Sequence, residues 1–139
     1  MTEVEISRLL SELSEVAATL NRESDSLNAL IERFQHILRQ LNVGLEVWLV
    51  NPIRRDSRPS GVVETYLGFA KGGDNWELRI RHSTYCGDEG LTEDECALLD
   101  ASRADRIAAL EAFPSILVVL KEKAEEAVQA IQDAKRFIS

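Results

Sequence analysis

The sequence predicts an α+β fold, with a long helix at each end and a three-stranded antiparallel β-meander between them. Three observations carry that expectation. Large apolar residues recur every seven positions as Ile6, Leu13, Leu20, Leu27, Phe34 and Leu41. A second seven-residue repeat, Leu110, Leu117, Ala124, Ile131 and Ile138, closes the chain. Between the two, apolar and polar residues alternate with a period of two, the spacing of a half-buried strand.

The first repeat predicts a helix over residues 3–41. A second apolar row accompanies it at Leu9/Leu10, Val16/Ala17, Leu30/Ile31 and Ile37/Leu38, and only the step at Glu23/Ser24 is polar. The phase survives that step, because Leu20 and Leu27 stay in register, so one continuous helix is favoured over two. At 1.5 Å per residue such a helix is about 54 Å long. A stripe of this kind needs another element to cover it.

Asn42 and Gly44 end the helix. Residues 43–50 alternate, with Val43, Leu45, Val47 and Leu49 on one face, and predict a first strand. Residues 51–61 hold Pro52, Pro59 and Gly61 and are expected to form a loop. Residues 62–70 and 75–85 predict two further strands around Lys71-Gly72-Gly73-Asp74. With both glycines at the centre of the turn, Phe69 faces Trp76, Leu67 faces Leu78, Thr65 faces Ile80 and Val63 faces His82. On the other face Tyr66 meets Arg79 and Glu64 meets Arg81. Residues 91–99 read either as a helical turn, through the Thr92/Glu95 capping-box spacing, or as an extended segment.

Residues 102–138 predict the second helical region, with Asp100 or Ser102 as its cap. Pro114 interrupts the repeat, so the region is expected to be a helix kinked there or two helices meeting there. The two helices are expected to pack together and on one face of the sheet. Their stripes would pair antiparallel within the chain or with those of a second subunit. A helix of about 54 Å outreaches a strand of eight or nine residues, so one end of the stripe is expected to project.

The chain has 139 residues, and 45% hydrophobic content with 29% charged residues is inconsistent with wholesale disorder. Its net charge of −8 argues against a nucleic-acid or anionic-membrane partner, since both call for concentrated positive charge. No basic start precedes an apolar run, and no apolar run reaches membrane-spanning length. A cytoplasmic setting is expected, with Cys86 and Cys96 as reduced thiols.

Chemical signatures are sparse. His82, Cys86 and Cys96 lack the close ligand pairs of a zinc site, and the acidic run from Asp88 to Glu95 lacks the spacing of a calcium loop. None of the phosphate-loop, dinucleotide, serine-nucleophile or zinc-protease motifs is present. No cofactor or metal is expected. The remaining candidates form surfaces. Trp48 and Tyr66, with Arg79 and Arg81, fall on the outer sheet face among glutamates. Arg54, Arg55 and Arg58 crowd the proline-bounded loop. Exposed aromatics ringed by charge suit a protein partner. The expectation is a non-catalytic interaction, adaptor or chaperone-like protein, homodimeric through its helical arms. The alternative is a small-ligand protein or enzyme with a site near His82, Tyr85, Cys86 and the arginine loop.

Overall fold

The computed structural model describes the chain from Met1 to Ser139, apart from the side chain of Glu89. Helix α1 spans Glu3–Leu41 without a break. Thr2 and Glu5 cap it reciprocally. The Thr2 hydroxyl accepts from the Glu5 N–H at 3.2 Å, and the Glu5 carboxylate accepts from the Thr2 N–H at 3.1 Å. Asn42 ends the helix at φ +52°, in the left-handed region that asparagine tolerates.

The sheet follows as β1 (Val47–Trp48), β2 (Arg54–Arg58), β3 (Gly61–Gly72), β4 (Asn75–Tyr85) and β5 (Leu91–Ala97), with antiparallel neighbours throughout. β1 and β2 share one edge of β3, and β4 and β5 follow on its other side. The meander expected to have three strands is therefore a five-stranded sheet. The first strand, expected over 43–50, shortens to two residues. The Leu49 N–H still donates to the Leu67 carbonyl at 2.9 Å, and the Ile53 N–H donates to the Thr65 carbonyl at 2.7 Å. Residues 50–52 bulge out between these bonds, which is where Pro52, lacking an N–H, costs the ladder nothing.

The region expected to be a loop thus contains β2. Its residues, Arg-Arg-Asp-Ser-Arg, carry no apolar alternation. Charged side chains and a neighbouring proline are how exposed strand edges are kept from pairing with other chains. β5 has the same character, Leu-Thr-Glu-Asp-Glu-Cys-Ala, and resolves residues 91–97 as extended. Both β2, expected to be a loop, and β5, open in sequence between a helical turn and an extended segment, are edge strands on which charge replaces the hydrophobic signal.

The β3–β4 register differs from the expected one by two residues. Phe69 faces Leu78, Leu67 faces Ile80, Thr65 faces His82 and Tyr66 faces Arg81. The turn centres on Gly73-Asp74. Only Gly73, at φ +67°, has the positive angle, as a II′ hairpin requires at its first central position. A shift of two preserves the side-chain parity, so every residue stays on its expected face.

After β5, residues Leu98–Asp100 form a 3-10 turn, and helix α2 runs over Arg103–Ile138. Ser102 is its cap, accepting from the Asp105 N–H at 3.1 Å. Pro114 lies inside one helix and does not divide it in two.

Both helices lie on the same sheet face. The buried core joins Ile31 and Leu38 of α1, Ala109, Phe113, Ile116 and Leu120 of α2, and Val47, Leu67, Phe69, Leu78 and Ile80 of the sheet. β5 ends opposite Arg79, one residue short of Leu78. The buried Gln35 side chain accepts the Leu78 N–H at 2.9 Å and so ties α1 to β4.

The helices run in the same direction where they meet. Arg106 donates to Asn28, and Phe113 stacks on Phe34 with ring centroids 4.3 Å apart. Advancing along α1 therefore advances along α2, and the antiparallel intrachain pairing does not form. A heptad stripe carries no direction. The whole sheet separates the helices in sequence, so no short loop imposes an antiparallel return. The covered halves are residues 27–41 of α1 and 103–120 of α2. The uncovered halves leave the helix pair at opposite ends.

Candidate interaction surfaces

The outer sheet face gathers five of the seven expected partner residues. Trp48, Tyr66, Arg79 and Arg81 share it, and Arg55 joins them opposite Glu64. The Trp48 indole lies against the backbone of Gly68, where an added Cβ would stand 2.4 Å from the ring. The Arg81 guanidinium sits 4.0 Å from the centroid of the same indole. Arg81 donates twice to Glu95 Oε1, at 2.9 and 2.8 Å, and Arg79 donates to Glu77 Oε1 at 2.9 Å. The Tyr66 hydroxyl donates to Glu64 at 2.7 Å. That hydrogen bond, together with burial and the Glu64 charge, pushes the phenol up to about 12. The result is a preorganised plate of alternating charge around one aromatic face.

Arg54 and Arg58 are separated from that group. β2 alternates, so both point to the inner face, beside the N-terminus of α2. There a polar cleft of about 290 Å³ is lined by Arg54, Arg58, His82, Asp94, Cys96 and Asp105, among others. Arg54 donates to Asp105 Oδ1 at 2.6 Å, and His82 Nε2 lies 2.8 Å from Asp105 Oδ2. His82 Nδ1 stands 3.4 Å from Asp94. Burial alone would raise the Asp105 carboxyl, but the His82 and Arg54 hydrogen bonds and charges outweigh it and hold the group below the usual carboxylate range. Asp105 also sits in the first turn of α2, where negative charge is favoured.

The grouping of His82 with Tyr85 and Cys86 does not form. Tyr85 lies on the outer face, and neither residue lines the cleft. The thiol that does line it, Cys96, is pushed up by burial and by Asp100 and Asp94, away from the thiolate a nucleophile requires. Among the described residues, no three His, Cys, Asp or Glu side chains are grouped to hold a metal ion, and no helix is long and apolar enough to cross a membrane.

The third surface is the pair of arms. In residues 1–23 every side chain is exposed except the half-buried Ala17, and in 121–139 only Ala124 and Ala127 are half-buried. Leu13 is 61% exposed and Ile131 is 60% exposed, although both are central members of their repeats. An apolar groove of about 290 Å³, lined by Leu20, Leu27, Leu30, Ile107 and Leu110, continues the α1 stripe into the helix junction.

Sequence reasoning missed Asp105 as the hub of the cleft and Glu95 as the anchor of Arg81. Asp105 had a legible signal, an acid three residues after the Ser102 cap. Glu95 had none, because residues 91–99 read as either helix or strand and had no pairing register with β4. No family model, curated protein or solved structure matches this chain.

Proposed function

We propose that this chain is a non-catalytic protein-interaction protein, of adaptor or chaperone-like kind, that self-associates through its helical arms. One observation carries the reading. The seven-residue apolar repeats continue beyond the buried stretch of each helix, in α1 across the one polar step at Glu23/Ser24, into arms where Leu9, Leu10, Leu13, Val16, Val128 and Ile131 are all exposed. Contiguous exposed apolar surface rimmed by charge is characteristic of sites for other proteins. The outer face around Trp48, Tyr66, Arg79 and Arg81, flanked by Arg55, is the second partner surface. Its side chains are already held by Glu64, Glu77 and Glu95, so a partner would meet a rigid plate at little ordering cost. The chemistry of the cleft supports the same reading, since Asp105, Arg54 and His82 satisfy one another and its thiol is not activated.

Sedimentation equilibrium tests self-association. The wild-type chain is expected to populate a dimer at micromolar concentration, and Leu13→Glu to remain monomeric with an unchanged far-ultraviolet spectrum. A wild-type chain that stays monomeric at high micromolar concentration contradicts the reading.

A further inference from the structure

The exposed arms differ in one respect that selects their occupant. In the repeat of α1, the positions flanking the apolar seam carry Glu3, Glu5 and Glu12 as their only charges within the arm. The equivalent positions of the α2 arm carry Lys121, Lys123 and Lys135 as their only charges. Residues flanking a helical seam set partner choice and orientation through charge. Pairing α1 with α1, or α2 with α2, places like charges beside each other. Pairing α1 with α2 places opposite charges together.

Within one chain that pairing is out of reach, because the arms leave the helix pair at opposite ends. We infer that the α1 arm docks against the α2 arm of a second copy of this chain. A closed two-fold arrangement then follows from geometry. Turning the second copy end over end brings its α2 arm beside the first copy's α1 arm, and symmetry forms the same contact at the other end. The paired arms run antiparallel in this arrangement. Pairing them parallel would leave a free arm at each end and propagate a filament.

The area is adequate. Ile6, Leu9, Leu10, Leu13, Val16 and Leu20 of one chain would meet Leu117, Val128, Ile131 and Ile138 of the other, all at least 42% exposed in the single chain. Two such seams bury on the order of 1,600 Å² at roughly 80 Å² per side chain, the size of a standard specific interface. The apolar groove between Leu20, Leu27, Ile107 and Leu110 lies where each seam reaches the helix junction, so the covered surface is continuous with the existing core.

This inference rests on the self-association proposed above, and charge reversal separates the two. Glu3→Lys, Glu12→Lys and Thr19→Lys together make the α1 flank net basic without touching the Thr2–Glu5 cap. Lys121→Glu, Lys123→Glu and Lys135→Glu make the α2 flank acidic. Each set alone is expected to weaken the dimer about tenfold by sedimentation equilibrium, and the chain carrying both sets to recover wild-type affinity. Circular dichroism of each variant establishes that the helices are retained. If the α2 set leaves the dimer unchanged, or the combined chain does not recover, the α1–α2 pairing is overturned while self-association stands. A species that grows past the dimer with concentration overturns the closed arrangement. A monomeric wild-type chain overturns both this inference and the reading beneath it.

Discussion

The two halves of α1 carry the same apolar repeat, and they have opposite fates. In residues 27–38 the stripe is covered: Ile31 and Leu38 lie in the core, and Phe34 stacks on Phe113. In residues 6–20 the same spacing leaves Leu10, Leu13 and Val16 in solvent. Helix α2 repeats the contrast in reverse order, with its buried half first and its arm last. Periodicity alone therefore records which face of a helix needs covering. What covers it depends on where the sheet ends and which way the neighbouring helix runs.

Mutations can break or sharpen that contrast. The largest effect is expected in the covered half. Leu38→Ala removes a side chain packed among sheet and helix residues and should cost about 3–4 kcal/mol. Leu13→Ala, at the same kind of position in the arm, should change the stability of the monomer by less than about 0.5 kcal/mol. Urea unfolding at concentrations where the chain is monomeric measures both. Equal costs would mean that the arm is covered by its own chain.

Asp105→Asn comes next, because it frees the anchored end of α2 from Arg54 and His82. A loss of about 2–3 kcal/mol is expected near neutral pH. The sign of the pH dependence follows from the lowered carboxyl. The contribution is complete above the ordinary aspartate value of about 4 and is lost as pH falls through the lower folded value. The wild-type advantage over Asp105→Asn should therefore vanish in acid. An advantage that persists at low pH would remove the charge cluster from the account. Among the buried sites the smallest effect is expected for Gln35→Leu, which leaves the buried Leu78 N–H without an acceptor, at about 1–2 kcal/mol. Faster amide exchange at Leu78 would locate that loss, and unchanged exchange would show that another group accepts the bond.

Much of this fold was legible beforehand, and the failures share physical causes. The helix bounds, the strands β3 and β4 and the faces of their side chains followed from period and turn chemistry. β2 did not, and β5 stayed open between a helical turn and an extended segment, because their polar residues serve to protect sheet edges and erase the alternation that reveals a strand. The glycine pair at the hairpin permitted two turn positions, and only the backbone angle of Gly73 chose between them. Helix direction was invisible, since a repeat reads the same either way. On the outer face Trp48, Tyr66, Arg79 and Arg81 came together as expected. Arg54 and Arg58 went elsewhere because they belong to a strand, whose alternation separates them from Arg55. The basic and acidic flanks of the two repeats were present in the sequence throughout. They acquired meaning only once the arms were seen to part.

Concentration-dependent amide hydrogen exchange tests most directly the claim that one stripe is covered twice, by its own chain in the core and by a second copy in the arms. Residues 31–38 should be protected at every concentration. Residues 6–20 and 124–136 should exchange rapidly in dilute solution and gain protection together as the dimer forms. Arms that exchange rapidly at every concentration, or that are already protected in the dilute monomer, would contradict the account.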